Sequence, residues 1–131
     1  MSQIIDTKKE FSLMKRGKSF VNAGRGLKVF WQTTPNAWIQ TTLAILAIVL
    51  GLYFQIDKLE WFMLIIAIGS VLTAESFNTA IEIDINLTSP NQHPYARDTK
   101  DVAAGAVLIV SITAAIIGLV VFWPHIINFC F

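Results

Sequence analysis

The chain contains one cysteine, Cys130, and little charge for its 131 residues. A single cysteine excludes a disulfide framework and a cysteine-rich metal site. Charged residues make up 15% of the chain, where soluble domains have about 25%, so too few charges are present to cover a water-exposed surface. The net charge of +1 is too balanced for a general nucleic-acid binder. The composition therefore indicates a small integral membrane protein that has no nucleic-acid partner.

Three long apolar stretches cover about 37–54, 59–83 and 102–123. The first and third carry no charged residue, whereas the second carries three glutamates, Glu60, Glu75 and Glu82. Each stretch is long enough to supply the roughly 20 helical residues that cross a bilayer, and lipid offers the backbone no hydrogen-bond partners outside a helix. These stretches predict an all-α membrane protein with three transmembrane helices, in a single domain over residues 1–131.

Positive charge is concentrated near the N-terminus, where seven of the ten Lys and Arg residues precede residue 30. The segment between the second and third predicted spans, about 84–101, holds Arg97 and Lys100, while the first loop has only Lys58 and the C-terminal tail has none. Within that segment, Pro90 and Pro94 predict a loop over residues 88–94. Because cytoplasmic loops carry the excess of positive charge, we expect the N-terminus in the cytoplasm and the C-terminus outside. Four tryptophans fall near the predicted span ends, as interfacial anchors do: Trp31, Trp38, Trp61 and Trp123.

Residues about 11–32 combine apolar and basic side chains ahead of the first span. Phe20, Ala23, Leu27 and Phe30 recur at helical spacing, with basic residues between them. This pattern predicts an amphipathic helix that lies on the inner surface of the membrane. The alternative is a basic anchor that only fixes the topology.

Acidic and amide side chains form a stripe along the second span. At 100° per residue, Glu75, Asn78, Glu82 and Asn86 fall within roughly 80° of one another, and Asp84 lies opposite. Each charge costs about 2.5–3.5 kcal/mol at the centre of a membrane helix. The stripe is suited to binding Mg²⁺ together with a phosphate or to removing a proton from a hydroxyl. A polar seam between helices explains it equally well.

Arg97, Lys100 and Asp101 stand where the third span begins. A lysine at this position can bind phosphate oxygens, but the residues alone favour a cap at the membrane-flanking end of a helix. The small residues 103–106 that follow permit close helix contact. Three thin helices bury little surface by themselves, and a single three-helix subunit would leave Glu75 and Glu82 facing lipid, where their charges are costly. We therefore expect an oligomer.

Several motifs together resemble the bacterial diacylglycerol kinase and undecaprenol kinase family over about residues 11–123. They are Glu-Ser-Phe-Asn-Thr-Ala-Ile-Glu at 75–82, Ser-Pro at 89–90, His-Pro at 93–94 and Lys-Asp-Val-Ala-Ala-Gly-Ala-Val-Leu at 100–108. The resemblance implies a trimer of three-helix subunits, each with a surface helix, in the bacterial inner membrane. It also implies that Mg-ATP phosphorylates a lipid alcohol, diacylglycerol or undecaprenol, at the cytoplasmic face.

Carried over to this sequence, the resemblance implies that Glu75 is the general base and that Asn78 positions the reacting groups. Glu82 would hold the Mg²⁺ ion, with Thr34 at the second ligand position. The resemblance further implies a set of nucleotide-binding residues, which are Lys15, Glu82, Asn91, Gln92, His93, Lys100 and Asp101.

Three positions depart from the family pattern. Thr34 stands where the family has a glutamate that binds metal, Asn86 replaces an aspartate, and Asn22 replaces an aromatic residue. Asp84 cannot substitute for that aspartate because it lies on the other face of the helix. Two interpretations follow: an active lipid kinase with altered metal binding, or a weakened or inactive relative that serves as a membrane scaffold or lipid-binding subunit of a larger complex.

Overall fold

The computed structural model describes residues 12–131, which form four α-helices: α1 (Leu13–Thr33), α2 (Pro35–Phe54), α3 (Lys58–Thr88) and α4 (Pro94–Cys130). Helices α2, α3 and α4 are each long and apolar enough to cross a membrane. No strand occurs within 12–131. The predicted all-α fold with three spanning helices is therefore confirmed. Three residues of the predicted basic segment and surface helix, Lys8, Lys9 and Phe11, lie outside the described residues.

Helix α1 occupies the position predicted for the surface helix. It begins after Ser12, whose side chain accepts a hydrogen bond from the backbone N–H of Lys15 at 3.4 Å. Its apolar side chains are not covered by the described part of the chain, since Phe20 is 81% exposed and Leu27 is 50% exposed. An uncovered apolar face beside basic residues is what a helix in the membrane interface requires.

A single residue, Thr34, separates α1 from α2. Pro35 disfavours a helical conformation in the residue before it, and Thr34 accordingly has φ −117° and ψ 102°. Two tryptophans hold the helices on either side of this break. Trp31 Nε1 donates to Thr41 Oγ1 at 2.9 Å, and Trp38 Nε1 donates to the carbonyl of Trp31 at 2.8 Å. The break therefore has a fixed geometry, and it brings Thr34 against α3.

The turn between α2 and α3 is closed by local backbone chemistry. Gln55 adopts a left-handed conformation with φ 51°, and Asp57 and Glu60 form a capping box at the start of α3. Nearby, Ile56, Leu64, Val121 and Phe122 form a small buried core. His125 Nε2 lies 3.0 Å from the Glu60 carboxylate, which ties α4 to this end of α3.

Helices α3 and α4 both extend beyond the apolar stretches that predicted them. The break between these helices covers only residues 89–93, which agrees with the loop predicted at 88–94, whereas most of the wider segment of about 84–101 between the predicted spans is helical. Helix continuation depends on backbone hydrogen bonds and caps rather than on hydropathy. The His93 side chain accepts from the backbone N–H of Tyr95 at 3.2 Å, and Pro94 is preorganised for the first helical position. Lys100 and Asp101 consequently lie on α4.

Candidate active site

Glu75 is the most deeply buried charged residue in the described chain, at 2% exposure. Gln40 on α2 reaches across to α3 and donates a hydrogen bond from Nε2 to Glu75 Oε2 at 2.9 Å. The sequence had suggested that a single three-helix subunit would leave Glu75 facing lipid. That expectation is wrong, because the amide of α2 covers and binds the carboxylate within one chain.

Asn78 lies one turn beyond Glu75 on α3 and is 8% exposed. Its Oδ1 atom is buried and has no hydrogen-bond partner among the described residues. A buried acceptor without a donor costs about 1–3 kcal/mol, so Asn78 presents an oxygen that a substrate group or water can satisfy. Glu75 and Asn78 thus form a buried polar pair within an apolar span.

Thr34 contacts α3 next to this pair. Its hydroxyl lies 2.7 Å from that of Thr79, and Thr79 already donates its proton to the carbonyl of Glu75 at 3.0 Å. Because the Thr79 proton is used in that bond, Thr34 is the donor between the two hydroxyls. Thr34 therefore stands beside Thr79, midway along α3 between Glu75 and Glu82.

The predicted stripe on α3 divides into a buried half and an exposed half. Glu75 and Asn78 are buried, whereas Glu82 and Asn86 are exposed. The reason is that α2 begins at Pro35, near the level of Thr79, and α3 continues past it. At a rise of about 1.5 Å per residue, Glu82 lies roughly 10 Å from Glu75 along the helix axis, and Asn86 lies roughly 6 Å further.

A polar cleft of about 830 Å³ lies where α3 ends and α4 begins. Lys100 Nζ donates to Asn86 Oδ1 at 2.6 Å across this cleft. Arg97 and Asp101, one turn apart on α4, form an exposed ion pair at 3.7 Å. Five residues predicted to bind nucleotide line the cleft: Asn91, Gln92, His93, Lys100 and Asp101.

Other predicted nucleotide and metal residues lie outside this cleft. Glu82 is exposed on α3 and does not line the cleft, and Lys15 and Asn22 are exposed on α1. The structure therefore gathers the loop and α4 residues into one site but does not bring Glu82 or Lys15 into it. Glu82 instead lies on α3 between Glu75 and the residues that line the cleft.

Two contacts of the site were not predicted from the sequence. Asn86 was predicted as part of the polar stripe and as the replacement of an aspartate, but not as the partner whose amide oxygen binds the ammonium of Lys100. Gln40 falls within the first apolar stretch, where no functional residue was predicted, yet it binds Glu75. The available signal was its polarity: a long amide side chain in a membrane helix needs a partner, and the carboxylates of the second span were the obvious candidates.

Glu82 offers a single, exposed carboxylate to a metal ion. No group of three or more His, Cys, Asp or Glu side chains within 12–131 is arranged to hold a metal. Mg²⁺ does not need such a cage, since it keeps several waters and binds one or two carboxylates together with substrate phosphates. Glu82 therefore fits a Mg²⁺ ion that arrives with a nucleotide. The Thr34 hydroxyl is engaged by Thr79 and supplies no charge.

These features define an all-helical membrane protein with a buried carboxylate in its spans and a polar cleft at the adjoining helix ends. The chain matches the family model for prokaryotic diacylglycerol kinase over residues 21–122. The chain belongs to this family of membrane lipid kinases, so the resemblance noted in the sequence is confirmed.

Named relatives agree with this assignment. The chain is 36% identical to the undecaprenol kinase of Bacillus subtilis (strain 168) over 107 residues, which cover 82% of this chain and 87% of that protein. It is 31% identical to a diacylglycerol kinase of Helicobacter pylori (strain ATCC 700392 / 26695), with coverage of 76% and 84%. It is 27% identical to the diacylglycerol kinase of Escherichia coli (strain K12), with coverage of 77% and 83%.

Proposed function

We propose that this protein transfers the γ-phosphoryl group of ATP to the hydroxyl of a membrane lipid alcohol, diacylglycerol or undecaprenol, at the cytoplasmic face of the bacterial inner membrane. The observation that carries the proposal is the buried Glu75 carboxylate. It lies in the C-terminal half of α3, the half that ends at the polar cleft. A base at that depth is within reach of an alcohol whose hydrocarbon part stays in lipid.

In the proposed reaction Glu75 accepts the proton of the lipid hydroxyl while the oxygen of that hydroxyl attacks the γ-phosphorus. The bond from that phosphorus to the β,γ-bridging oxygen breaks, and ADP leaves. Asn78 accepts or orients a reacting group through its unpartnered Oδ1. Phosphoryl transfer depends mainly on positioning and on stabilising charge, so no covalent enzyme intermediate is needed.

The cleft is proposed to hold the nucleotide, with Lys100 as the principal cation. Its hydrogen-bond partner Asn86 is neutral, so the ammonium charge stays available to phosphate oxygens. Asp101 and the residues 91–93 line the same cleft. Lys15 is proposed to contact the nucleotide from α1. Glu82, between the cleft and Glu75, would hold Mg²⁺, which when bound offsets the negative charge on the phosphates.

We propose that the kinase is a trimer with its N-terminus in the cytoplasm. Glu82 is exposed in the single chain, and ionisable residues of membrane-spanning helices usually face the interior of a helix bundle or a water-filled cavity rather than lipid. Native mass spectrometry in mild detergent, with cross-linking in bilayers, is expected to give three copies. Dispersed monomers that retain full activity would contradict the trimer.

The test of the activity uses purified protein in liposomes with γ-labelled ATP and separate additions of diacylglycerol, undecaprenol and a lipid without a hydroxyl. Labelled phosphate is expected in one or both alcohols and absent from the third lipid. Inactivity towards every alcohol would favour the alternative, a scaffold or lipid-binding subunit of a larger membrane complex. That alternative is favoured by the neutral residues Thr34 and Asn86, which stand at positions where the family resemblance implies acidic residues.

A further inference from the structure

We infer that Gln40 is a positioning residue for the general base: its side-chain amide holds one oxygen of Glu75 and directs the other towards the lipid hydroxyl. The inference rests on the proposed kinase function and adds a residue from α2 to a site otherwise proposed to consist of residues from α1, α3, the loop and α4. It gives α2 a specific part in the reaction.

The contact between Gln40 and Glu75 has the geometry of a strong hydrogen bond. Gln40 Nε2 lies 2.9 Å from Glu75 Oε2, and bonds to an ionised acceptor are about twice as strong as neutral ones. The carboxylate also fixes which way the amide points, because the opposite orientation would place two acceptor oxygens against each other. One carboxylate oxygen is therefore held, and the plane of the carboxylate is set by a neighbouring helix.

The carbonyl oxygen of the same amide indicates that the contact with Glu75 leaves another polar atom unsatisfied. Gln40 Oε1 is buried and has no hydrogen-bond partner among residues 12–131. The adjacent polar residues Thr41 and Thr42 behave differently, because each donates to a carbonyl of its own helix. Gln40 is thus the residue in this part of α2 whose polarity is directed at α3 rather than satisfied locally.

A purely structural role predicts a different outcome from a positioning role. If Gln40 only joins α2 to α3, its replacement lowers stability and the amount of folded enzyme, but each folded molecule turns over normally. If Gln40 orients Glu75, replacement lowers kcat while both KM values stay nearly constant. Separate values of kcat and KM, measured per folded molecule, therefore distinguish the two roles.

The test replaces the amide in two ways and compares each variant with a control on the same helix. Gln40→Met keeps the length and removes the N–H donor, and Gln40→Glu keeps the shape but places a second carboxylate against Glu75. Thr42→Val is the control, since Thr42 is exposed and bonds only within α2. Turnover is measured in liposomes per folded protein molecule, with ATP and the lipid alcohol varied separately.

We expect kcat to fall about ten- to a hundredfold in Gln40→Met, as for loss of a hydrogen bond to a charged group, with both KM values within about twofold. Gln40→Glu is expected to lose at least as much, and Thr42→Val is expected to match the wild type. If Gln40→Met and Gln40→Glu fold and turn over like the wild type, the inference is overturned while the kinase function stands. A wild-type protein that phosphorylates no alcohol overturns both.

Discussion

Lys100 on α4 donates a hydrogen bond from Nζ to Oδ1 of Asn86 on α3 at 2.6 Å, across the cleft between these helices. The bond joins the two sides of the proposed nucleotide site without neutralising the lysine. An aspartate at position 86 would instead form an ion pair with Lys100. The neutral amide, at a position where the family resemblance implies an aspartate, thus joins α3 to α4 without a second charge.

Lys100→Met is expected to raise KM for ATP at least about tenfold, because it removes a charge-assisted contact to phosphate. KM for the lipid alcohol is expected to stay the same, since Lys100 lies in the cleft and not beside Glu75. The measurement is initial-rate kinetics with each substrate varied in turn. Lys58→Met, at the opposite end of α3, is the control. Equal ATP affinity in wild type and Lys100→Met would remove Lys100 from the nucleotide site.

The paired change Thr34→Glu with Asn86→Asp is expected to lower the Mg²⁺ concentration that gives half-maximal activity. It restores two carboxylates near α3, and Mg²⁺ binds one or two such groups together with phosphate oxygens. Activity is titrated with Mg²⁺ at saturating ATP. Thr33→Glu is the matched control, because the Thr33 side chain donates to the carbonyl of Val29 on its own helix.

An unchanged Mg²⁺ requirement and unchanged ATP binding in the paired variant would count against Mg-ATP binding in the manner of the family. The scaffold interpretation would then become the better account of Thr34 and Asn86.

Gly51→Ala is expected to destabilise the fold by about 1–3 kcal/mol, the usual cost of overpacking. A Cβ at this position would lie 2.8 Å from Trp61 Cη2 and 3.1 Å from Ile56 Cδ1. Unfolding in a denaturing detergent series measures the change. Gly69→Ala, where a Cβ meets nothing within 4 Å, is expected to be neutral or slightly stabilising. Equal stability of the two variants would show that the contact with Trp61 is not tight.

Cys130 provides a test of the proposed orientation, because it is exposed at the C-terminal end of α4. A membrane-impermeant maleimide is expected to label it in intact spheroplasts. In a Cys130→Ser background, Asn91→Cys in the loop between α3 and α4 is expected to react only after permeabilisation. Labelling in the reverse pattern would place the cleft outside the cell and remove its access to cytoplasmic ATP.

Hydropathy and charge predicted the class of fold, because apolar length decides whether a helix spans a membrane. Pro90 and Pro94 predicted the break between α3 and α4, but hydropathy could not show that α3 continues to the cap at Ser89 or that α4 already begins after the cap at His93. The periodicity of α3 grouped Glu75, Asn78, Glu82 and Asn86 on one face. That periodicity could not show that α2 covers Glu75 and Asn78 but leaves Glu82 and Asn86 exposed.

Contacts between helices could not be predicted from the sequence for a related reason. Gln40 and Glu75 are 35 residues apart, and Asn86 and Lys100 are 14 apart. Whether two such side chains meet depends on how the helices cross and on the depth at which each begins. The residues implied by the family resemblance were therefore mostly those near one another in the sequence, whereas the partners supplied by other helices emerged from the structure.

The most direct test of the account is the rate at which Glu75→Gln transfers phosphate from ATP to a lipid alcohol in liposomes. Asp84→Asn serves as the control, because it removes a carboxylate from the opposite, exposed face of the same helix. We expect Glu75→Gln to lose more than about 99% of the turnover, in line with the 10²–10⁴-fold that a general base contributes, while its oligomer and its ATP binding match the wild type. Asp84→Asn is expected to retain full activity. A Glu75→Gln protein that keeps most of its turnover would make Glu75 a structural residue and contradict the proposed mechanism.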